Sequence, residues 1–243
     1  MSRNILLSLI IPVYNEEKRL PDSIRKITAF VESEERPVEV IFVVNGCTDR
    51  TYEMALSYQE KYPYVRVLKE ETAGKGNAVK RGMLEASGAY RMFADVDFAM
   101  PITEVSRFIP PALPDCQVAI ASRTAEGSAR KNEPLIRRLS SRVFNLVVDM
   151  IIRLGIRDTQ CGFKCFSAEA AEKIFPLQQI NGWAFDAEIL FIAKKLGYHI
   201  TEIPVVVQYE NDSKIKLWSA VPKMLMEILQ IRKNDNVGLY EQK

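Results

Sequence analysis

Two aspartates, Asp95 and Asp97, end an apolar segment that begins at Tyr90. The apolar positions suit a buried strand, and a spacing of two residues at its carboxyl end can turn both side chains into one crevice. Two carboxylates held together repel each other unless a cation neutralises them. Carboxylate oxygens favour Mg²⁺ or Mn²⁺, which often also bind substrate phosphates. The pair therefore predicts a metal-assisted phosphate-ester site, although a polar loop that carries two acids by chance fits an isolated Asp-x-Asp equally well.

Three further turns carry groups that suit a nucleotide. The first apolar segment ends in Pro12-Val-Tyr-Asn-Glu16 and the second in Asn45-Gly-Cys-Thr-Asp49. Their polar side chains suit a base or ribose site, although Asp49 fits a simple helix cap equally well. The third turn, Gly74-Lys75-Gly76, resembles half of a phosphate loop, in which glycines let N–H groups approach an anion. It lacks the Walker A spacing, and a flexible turn is the alternative interpretation.

The segments around these turns alternate between strand and helix patterns. Buried strands are predicted over Leu6–Val13, Val38–Val44, Val65–Leu68 and Tyr90–Asp97, each of the first three followed by a helix. Four strands that alternate with helices in this way predict an α/β fold with a mostly parallel, Rossmann-like sheet flanked by helices. Ligands in such sheets bind beyond the carboxyl ends of the strands, where all the turns described above are expected.

The second half of the chain has a looser pattern. Strands are predicted over Val118–Ala121, Gly162–Phe166 and Ile200–Val207, helices over Leu135–Leu154, Ala168–Phe175, Asp186–Leu196 and Leu217–Arg232, and a polar loop over Thr124–Glu133. The polar tail beyond the last helix is expected to fray. Since no repeat or linker interrupts the pattern, we expect one domain over residues 1–243.

The composition excludes several classes of protein. A net charge of +2 over 243 residues gives no argument for nucleic-acid binding. The only histidine, His199, lies in an apolar stretch that favours a structural role, and the four cysteines lack zinc-site spacing, so reduced cytosolic thiols are expected. No segment suits a secretory signal or a membrane span. We therefore expect a cytoplasmic protein whose membrane contact, if it has one, is peripheral and on the cytoplasmic face.

Taken together, the motifs resemble those of family 2 glycosyltransferases, in which the first strand ends in P-x-Y-N-E and the fourth in D-x-D. The resemblance covers about residues 5–230, and the blocks Gly155–Lys164 and Trp183–Glu188 are similar to the dolichyl-phosphate β-glucosyltransferase branch. Two positions depart from the wider pattern. Val44 replaces the acid that in many relatives contacts the base, and Ala99 stands where mannosyl enzymes often carry Gln.

This resemblance implies a nucleotide-diphospho-sugar transferase (GT-A) fold and an inverting, metal-dependent glycosyltransferase that uses Mg²⁺ or Mn²⁺. The donor it implies is a nucleotide sugar, UDP-glucose first, and the acceptor is a polyprenyl or dolichyl phosphate. The alternatives are another donor such as GDP-mannose, a soluble acceptor, or a nucleotide-sugar-binding protein without activity. It also divides the chain into a nucleotide-sugar half (about 1–100), an acceptor half (about 101–215) and a C-terminal helix and tail (216–243).

The resemblance also assigns candidate roles to individual residues. Arginines are among them because an acceptor phosphate needs countercations, and guanidinium groups suit a phosphate best. Nucleotide-sugar binding is expected at Pro12, Tyr14, Asn15, Glu16, Asn45, Gly74, Lys75, Gly76, Asp95, Val96 and Asp97. Acceptor binding is expected at Arg123, Arg137, Arg138, Ser141, Asp158, Gln160 and Asp186. The catalytic set is Asp95, Asp97, Arg123 and Arg137, with Asp97 as the direct metal ligand and Asp95 as its partner. The amphipathic helix from Arg137 to Leu154 either rests on a membrane or simply faces the core.

Overall fold

The computed structural model describes residues 5–131, 135–208 and 217–241, with side chains over 5–130, 141–207 and 222–241. The strands are β1 (Leu7–Val13), β2 (Val38–Asn45), β3 (Val65–Glu70), β4 (Tyr90–Ala94), β5 (Val118–Ser122), β6 (Ala129–Lys131), β7 (Phe163–Ser167), β8 (Ile200–Pro204) and β9 (Val206–Gln208). The α-helices are α1 (Leu20–Ser33), α2 (Thr51–Lys61), α3 (Lys75–Glu85), α4 (Leu135–Ile152), α5 (Ala168–Ile174), α6 (Phe185–Lys195) and α7 (Leu217–Asn236). Two 3-10 helices span Ile102–Phe108 and Phe175–Leu177.

Seven strands form the central sheet in the order β3-β2-β1-β4-β7-β5-β8. Its inner strands are buried because their sequences are almost continuously apolar; every residue of β2, for example, is buried. Neighbouring strands are parallel except at β7, which runs antiparallel to both β4 and β5. The predicted α/β fold with a mostly parallel sheet flanked by helices is confirmed.

The sheet opens into a crevice between β1 and β4. The chain moves outward from β1 to β2 and β3 and then returns to the other side of β1, which is the switch point where ligands bind in sheets of this kind. β1 pairs with β2 as far as Val13 and Val44, but with β4 only as far as Ile10 and Phe93. Pro12 carries no N–H group and so cannot itself donate a hydrogen bond to a neighbouring strand.

Helices cover both faces of the sheet. On one face, α1 buries Leu20, Ile24 and Ile27, which recur at helical spacing as the sequence predicts. On the other face, α3, α5 and α6 pack over the sheet, and nine consecutive residues of α6, Phe185–Ala193, are buried. This packing places α3 and α6 close to the carboxyl end of β4.

Three features differ from the sequence predictions. The predicted polar loop Thr124–Glu133 contains β6, which pairs in parallel with β9. The predicted single strand Ile200–Val207 is two strands, because the chain leaves the main sheet after Pro204 and β9 pairs with β6 instead. The tail does not fray at Tyr240, whose side chain is fully buried, since its aromatic ring packs on Phe191.

Candidate active site

The acidic turn begins where β4 ends. Asp95 follows the last strand residue, and its carbonyl oxygen accepts a hydrogen bond from the N–H of Phe98 at 3.2 Å. The carbonyl of Val96 accepts a hydrogen bond from Ser23 on α1, while the Asp97 carboxylate accepts the N–H of Ala99 at 3.1 Å. The turn is therefore held from both sides, and it presents two acids at the mouth of the crevice.

Two neighbouring acids give this edge of the crevice a negative charge that a bound cation can balance. Burial, followed by the nearby charge of Asp95, raises the pKa of Asp97. No group of three or more His, Cys, Asp or Glu side chains that could hold a metal occurs in the parts of the chain the structure describes. The donor set fits Mg²⁺ or Mn²⁺ if a bound diphosphate and water supply the remaining oxygens. The close packing of Gly162 on the Asp95 carboxylate also fits, because it keeps side-chain bulk away from this edge.

Lys75 neutralises part of this charge. Its Nζ lies 2.6 Å from Oδ1 of Asp95, and its ammonium also lies over the rings of Trp183 and Phe185, 5.6 and 5.9 Å from their centroids. Burial alone would lower the pKa of Lys75, but the carboxylates of Asp95 and Asp186 outweigh it and raise that pKa. Lys75 is therefore a fixed cation beside the acids, in the right place to face a diphosphate.

The two glycines around Lys75 serve close packing. A Cβ at Gly74 would lie 2.3 Å from the carbonyl oxygen of Asn181, and a Cβ at Gly76 would lie 2.6 Å from that of Ile180. Their N–H groups bond within the protein: that of Gly74 donates to Asn45 Oδ1 and that of Gly76 to the Asn181 carbonyl, each at 3.0 Å. This differs from the expected direct contact of these N–H groups with a phosphate. The motif instead fixes the first turn of α3, and with it Lys75.

Hydrogen bonds join the turn after β1 to the turn after β2. Asn15 adopts a positive φ of 52°, its Oδ1 accepts the N–H of Thr48 at 2.8 Å, and its Nδ2 donates to the Thr48 hydroxyl. Asn45 is buried, and its Nδ2 donates to the carbonyl of Thr72 at 2.6 Å. The side-chain amide of Asn45 thus holds the loop that leads to Lys75. Any effect of Asn45 on the binding of a nucleotide sugar would therefore act through that loop.

The remaining predicted donor residues line the same edge. The ring of Tyr14 is 59% exposed beyond the end of β1. Glu16 is buried, its N–H donates to Thr51 Oγ1 at 2.7 Å, and its carboxylate pairs with Arg19 at 3.4 Å. Glu16 therefore closes the turn before α1, whereas Tyr14 is open to a ligand.

A second site lies in a cavity of about 330 Å³ that three arginines line. The guanidinium of Arg123 makes two bonds of 2.7 Å to Asp158, and the N–H of Arg123 also donates to that carboxylate. Arg130 donates from Nε to the Arg123 carbonyl at 3.0 Å. The cavity is lined by Arg123, Thr124, Ala125, Ser128, Arg130 and Arg142. Arginines and hydroxyls around one cavity suit a phosphate or another oxyanion.

Asp158 holds Arg123 rather than facing open space. Asp158 is fully buried, and although burial raises its pKa, Arg123 outweighs that effect and lowers it. Two residues later, the Nε2 atom of Gln160 is buried without a hydrogen-bond partner among the described residues. The structure thus gives Asp158 a positioning role, while Gln160 carries a buried donor whose partner is not among the described residues.

Asp186 lies beneath the acids, away from the arginine cavity. It forms a buried ion pair with Lys164, and burial raises its pKa while the charges of Lys164 and Lys75 oppose that rise. Its predicted role in acceptor binding is therefore at most indirect in this geometry.

Comparisons with known proteins identify the family of this chain. The sequence matches the family described as Glycosyl transferase family 2 over residues 8–175. The chain belongs to glycosyl transferase family 2. Dolichyl-phosphate beta-glucosyltransferases are similar to it: that of Dictyostelium discoideum is 34% identical over 98% of this chain and 77% of its own, and that of Homo sapiens is 34% identical over 93% and 74%. The enzyme of Drosophila melanogaster is 36% identical over 90% and 72%.

Solved structures of two synthases share the fold of this glycosyltransferase. Glucosyl-3-phosphoglycerate synthase of Mycobacterium tuberculosis, solved with Mn²⁺, UDP and glucosyl-3-phosphoglycerate, aligns with a TM-score of 0.69 at 18% identity over 93% of this chain and 78% of its own. Mannosyl-3-phosphoglycerate synthase of Rubrobacter xylanophilus aligns with a TM-score of 0.70 at 15% identity over 98% and 76%. The predicted GT-A fold is confirmed.

Some predicted positions of the glycosyltransferase lie outside the described side chains. Arg137 and Arg138 belong to the first turns of α4, where the structure describes no side chains, so their predicted roles stay predictions. Ser141 is half-buried on the same helix, next to Arg142. His199 is exposed at the start of β8, at the sheet edge opposite the active site.

Helix α4 is apolar on two faces. Asn145, Val148 and Ile152 are buried on one side of the helix, as a core-facing helix predicts. On the other side, Val143, Leu146 and Met150 are 53, 61 and 65% exposed. Within the described part of the chain, no helix is both long and apolar enough to cross a membrane.

The sequence predictions missed four residues of this glycosyltransferase site. Trp183 lies beside Lys75, Arg19 favours the ionised form of Asp97, and Arg130 and Arg142 line the arginine cavity. Trp183 was already part of a motif of the family resemblance, so it could have been included. The other three could not, because their places depend on which turns of the chain meet in the fold.

Proposed function

We propose that this glycosyltransferase moves glucose from UDP-glucose to the phosphate of a polyprenyl or dolichyl phosphate, with inversion at the anomeric carbon. The proposal rests on the arginine cavity, in which Asp158 holds Arg123 rigidly. The same domain carries the acid pair Asp95 and Asp97. The names of the similar dolichyl-phosphate beta-glucosyltransferases support the choice of substrates.

On the donor side, the acids and Lys75 would bind the diphosphate end of the nucleotide sugar. Asp97 and Asp95 would hold Mg²⁺ or Mn²⁺, and this ion would neutralise the charge that develops on the leaving nucleoside diphosphate. The ammonium of Lys75 adds a second positive charge at the same edge. The exposed ring of Tyr14 is available to stack on the base.

The reaction itself needs little proton transfer from the protein. A phosphate oxygen of the acceptor attacks the anomeric carbon, a new carbon–oxygen bond forms, and the bond from that carbon to the diphosphate breaks. Because a phosphate monoester has a second pKa of about 6, it is largely a dianion at neutral pH and is already a nucleophile. This agrees with a chain whose only histidine is far from the crevice.

On the acceptor side, the arginines would bind and orient the attacking phosphate. Arg123 cannot rotate freely because Asp158 holds two of its nitrogens, and Arg130 is tied to the Arg123 carbonyl. Orientation of this kind lowers the entropic part of the barrier. The Nε2 of Gln160, which has no hydrogen-bond partner among the described residues, is the donor that we assign to a sugar hydroxyl.

The exposed apolar face of α4 would contact the lipid. Val143, Leu146 and Met150 lie along one side of the helix, and the sequence places Arg142, a residue of the arginine cavity, directly before Val143. An isoprenoid chain could thus leave the cavity along apolar side chains at the surface of a bilayer. This supports peripheral attachment to a membrane.

The first experiment identifies the donor and the acceptor. The purified protein is incubated with Mn²⁺, extracted polyprenyl phosphate and each of several radiolabelled nucleotide sugars, and labelled lipid is counted. We expect label from UDP-glucose. Label from GDP-mannose instead would overturn the assignment of UDP-glucose as the donor. Label only in soluble phosphorylated acceptors would overturn the lipid acceptor. No label with any pair of substrates would favour a protein that only binds nucleotide sugars.

The second experiment tests the arginine cavity. Arg130→Ala and Arg142→Ala should each raise the KM for polyprenyl phosphate, by about tenfold or more since charge-assisted bonds contribute roughly 1.5–3 kcal/mol, while the KM for the donor stays close to that of the wild type. Arg153→Ala is the matched control, because Arg153 is an exposed arginine just beyond the end of the same helix. An unchanged acceptor KM in both cavity variants would reject the assignment.

A further inference from the structure

The mechanism leaves the buried charge of Lys164 unexplained. Lys164 on β7 is fully buried, its Nζ donates to the carbonyl oxygen of Cys161 at 2.6 Å, and it forms an ion pair with Asp186. Burying an ion pair is costly, and well-packed apolar residues of similar volume often stabilise a fold as well or better. A buried lysine in the one antiparallel strand of the main sheet therefore calls for a reason other than stability.

We propose that Lys164 is a positioning residue that holds the donor acids and the acceptor arginine in one fixed arrangement. It reaches each of the two sites through neighbouring groups. This inference rests on the proposed function for the identity of the substrates, but its main measurement is binding.

The first connection runs through the backbone. Lys164 fixes the carbonyl of Cys161, and the next residue, Gly162, lies directly against the Asp95 carboxylate, where a Cβ would come within 2.1 Å of Oδ2. A shift of the Cys161 carbonyl would therefore move Gly162 and change the space available to Asp95.

The second connection runs through alternating charges. Lys164 pairs with Asp186, Asp186 favours the charged form of Lys75, and Lys75 pairs with Asp95 at 2.6 Å. When a divalent cation takes up the Asp95 carboxylate, Lys75 needs another anion. Asp186, held in place by Lys164, is the nearby carboxylate that keeps this ammonium in the site.

The third connection leads to the acceptor. The segment that Lys164 fixes at Cys161 begins with Asp158, the carboxylate that clamps Arg123. The charges of both sites reach Cys161: burial raises the pKa of its thiol to about 12, and the charges of Arg123 and Asp95 both act on it. One segment of chain therefore contacts both halves of the reaction, and Lys164 anchors its end.

The test separates positioning from simple stability. Lys164→Met leaves Asp186 buried and unpaired and is expected to destabilise the fold, so the decisive protein is the double variant Lys164→Met/Asp186→Leu, which removes both charges and should fold. We expect it to melt close to the wild type. We also expect it to bind UDP in the presence of Mn²⁺ about 10- to 100-fold more weakly, as for groups that orient metal ligands, and to show a raised KM for the acceptor.

Lys194→Met is the matched control. Its Nζ donates to the carbonyls of Arg153 and Leu154, each at 2.9 Å, at the end of α4. It should leave both binding measurements unchanged. If the double variant is stable and binds Mn²⁺ and UDP like the wild type, Lys164 is only half of a structural ion pair and the proposal fails. If the wild type transfers no sugar to a lipid yet UDP binding still depends on Lys164, the proposed function fails while the positioning role stands.

Discussion

Gly162 lies so close to the carboxylate of Asp95 that any side chain at position 162 would overlap it. The two residues come from different halves of the sequence, and they meet because β7 inserts next to β4 with Phe163 opposite Ala94. The missing side chain at 162 thus leaves Asp95 free to face the crevice, where 46% of its side chain is exposed.

This contact predicts the effect of Gly162→Ala. The added methyl group must displace the Asp95 carboxylate, so we expect Mn²⁺-dependent UDP binding to weaken about 10- to 100-fold, measured by titration calorimetry. The fold should persist because Asp95 can rotate toward solvent. Gly197→Ala is the control: Gly197 has a φ of +82° and nothing within 4 Å of an added Cβ, so it should lose stability and keep its affinity. Equal UDP affinity in Gly162→Ala and wild type would refute the prediction.

Asp97→Asn should separate activity from stability. Burial and the charge of Asp95 raise the pKa of Asp97 above its usual 3.8, so the ionised carboxylate makes the fold less stable once the pH is above that range. Removing the charge should leave the melting temperature of the metal-free protein unchanged or higher, while sugar transfer falls to a few percent or less. Calorimetry without metal and a radiolabelled transfer assay measure the two quantities. Substantial turnover in the variant would contradict the metal role.

The pair of Arg123 and Asp158 predicts a dependence of stability on pH. Despite the opposing effect of burial, Arg123 lowers the pKa of Asp158 from its usual 3.8, so the pair stabilises the fold above that pH and loses this effect as the pH falls through the lower, folded-state pKa. Asp158→Asn should therefore cost about 3–5 kcal/mol at pH 7, as for a broken buried ion pair. The difference from wild type should shrink below pH 3.8. Urea unfolding at several pH values measures it, and a constant difference would count against the interpretation.

The buried tail predicts a stability effect far from the crevice. The hydroxyl of Tyr240 donates to Glu188 at 2.6 Å, and Glu188 in turn accepts the N–H groups of Gln179 and Ile180. Tyr240→Phe should lower the free energy of unfolding by about 1.5–3 kcal/mol, because a bond to a charged group is lost.

Tyr64→Phe is the comparison for this prediction, since among the residues that the structure describes the hydroxyl of Tyr64 bonds only to the neutral hydroxyl of Thr28, at 3.1 Å. Its loss should cost about 0.5–1.5 kcal/mol. Chemical unfolding of both variants gives the two values, and equal losses would mean that Tyr240 does not support Glu188.

Local sequence patterns predicted the first half of the fold well because its strands are apolar and its helices are amphipathic. Leu20, Ile24 and Ile27 repeat at helical spacing, and they are buried as expected. The patterns failed where pairing is decided by distant segments. β6 is three residues long and forms only because β9 lies beside it, and Tyr240 is buried only because α6 presents Phe191 and Glu188.

The residues of the candidate site were predicted or missed for the same reasons as the elements of the fold. Asp95, Asp97, Lys75 and Arg123 were found because motifs mark them, and the structure brings Lys75 to Asp95. The partners of these residues could not be predicted. Two ion pairs depend on the order of strands in the sheet, which residue spacing does not encode: that of Asp158 with Arg123 and that of Asp186 with Lys164.

The position of β7 has a consequence for dissecting this protein. Because β7 covers the edge of β4 along its whole length, from Tyr90 to Ala94, a fragment that ends near residue 100 would carry an uncovered strand of apolar residues. We expect such a fragment to aggregate rather than to bind a nucleotide by itself. Chimeras that exchange acceptor specificity should therefore keep β4 and β7 from the same parent.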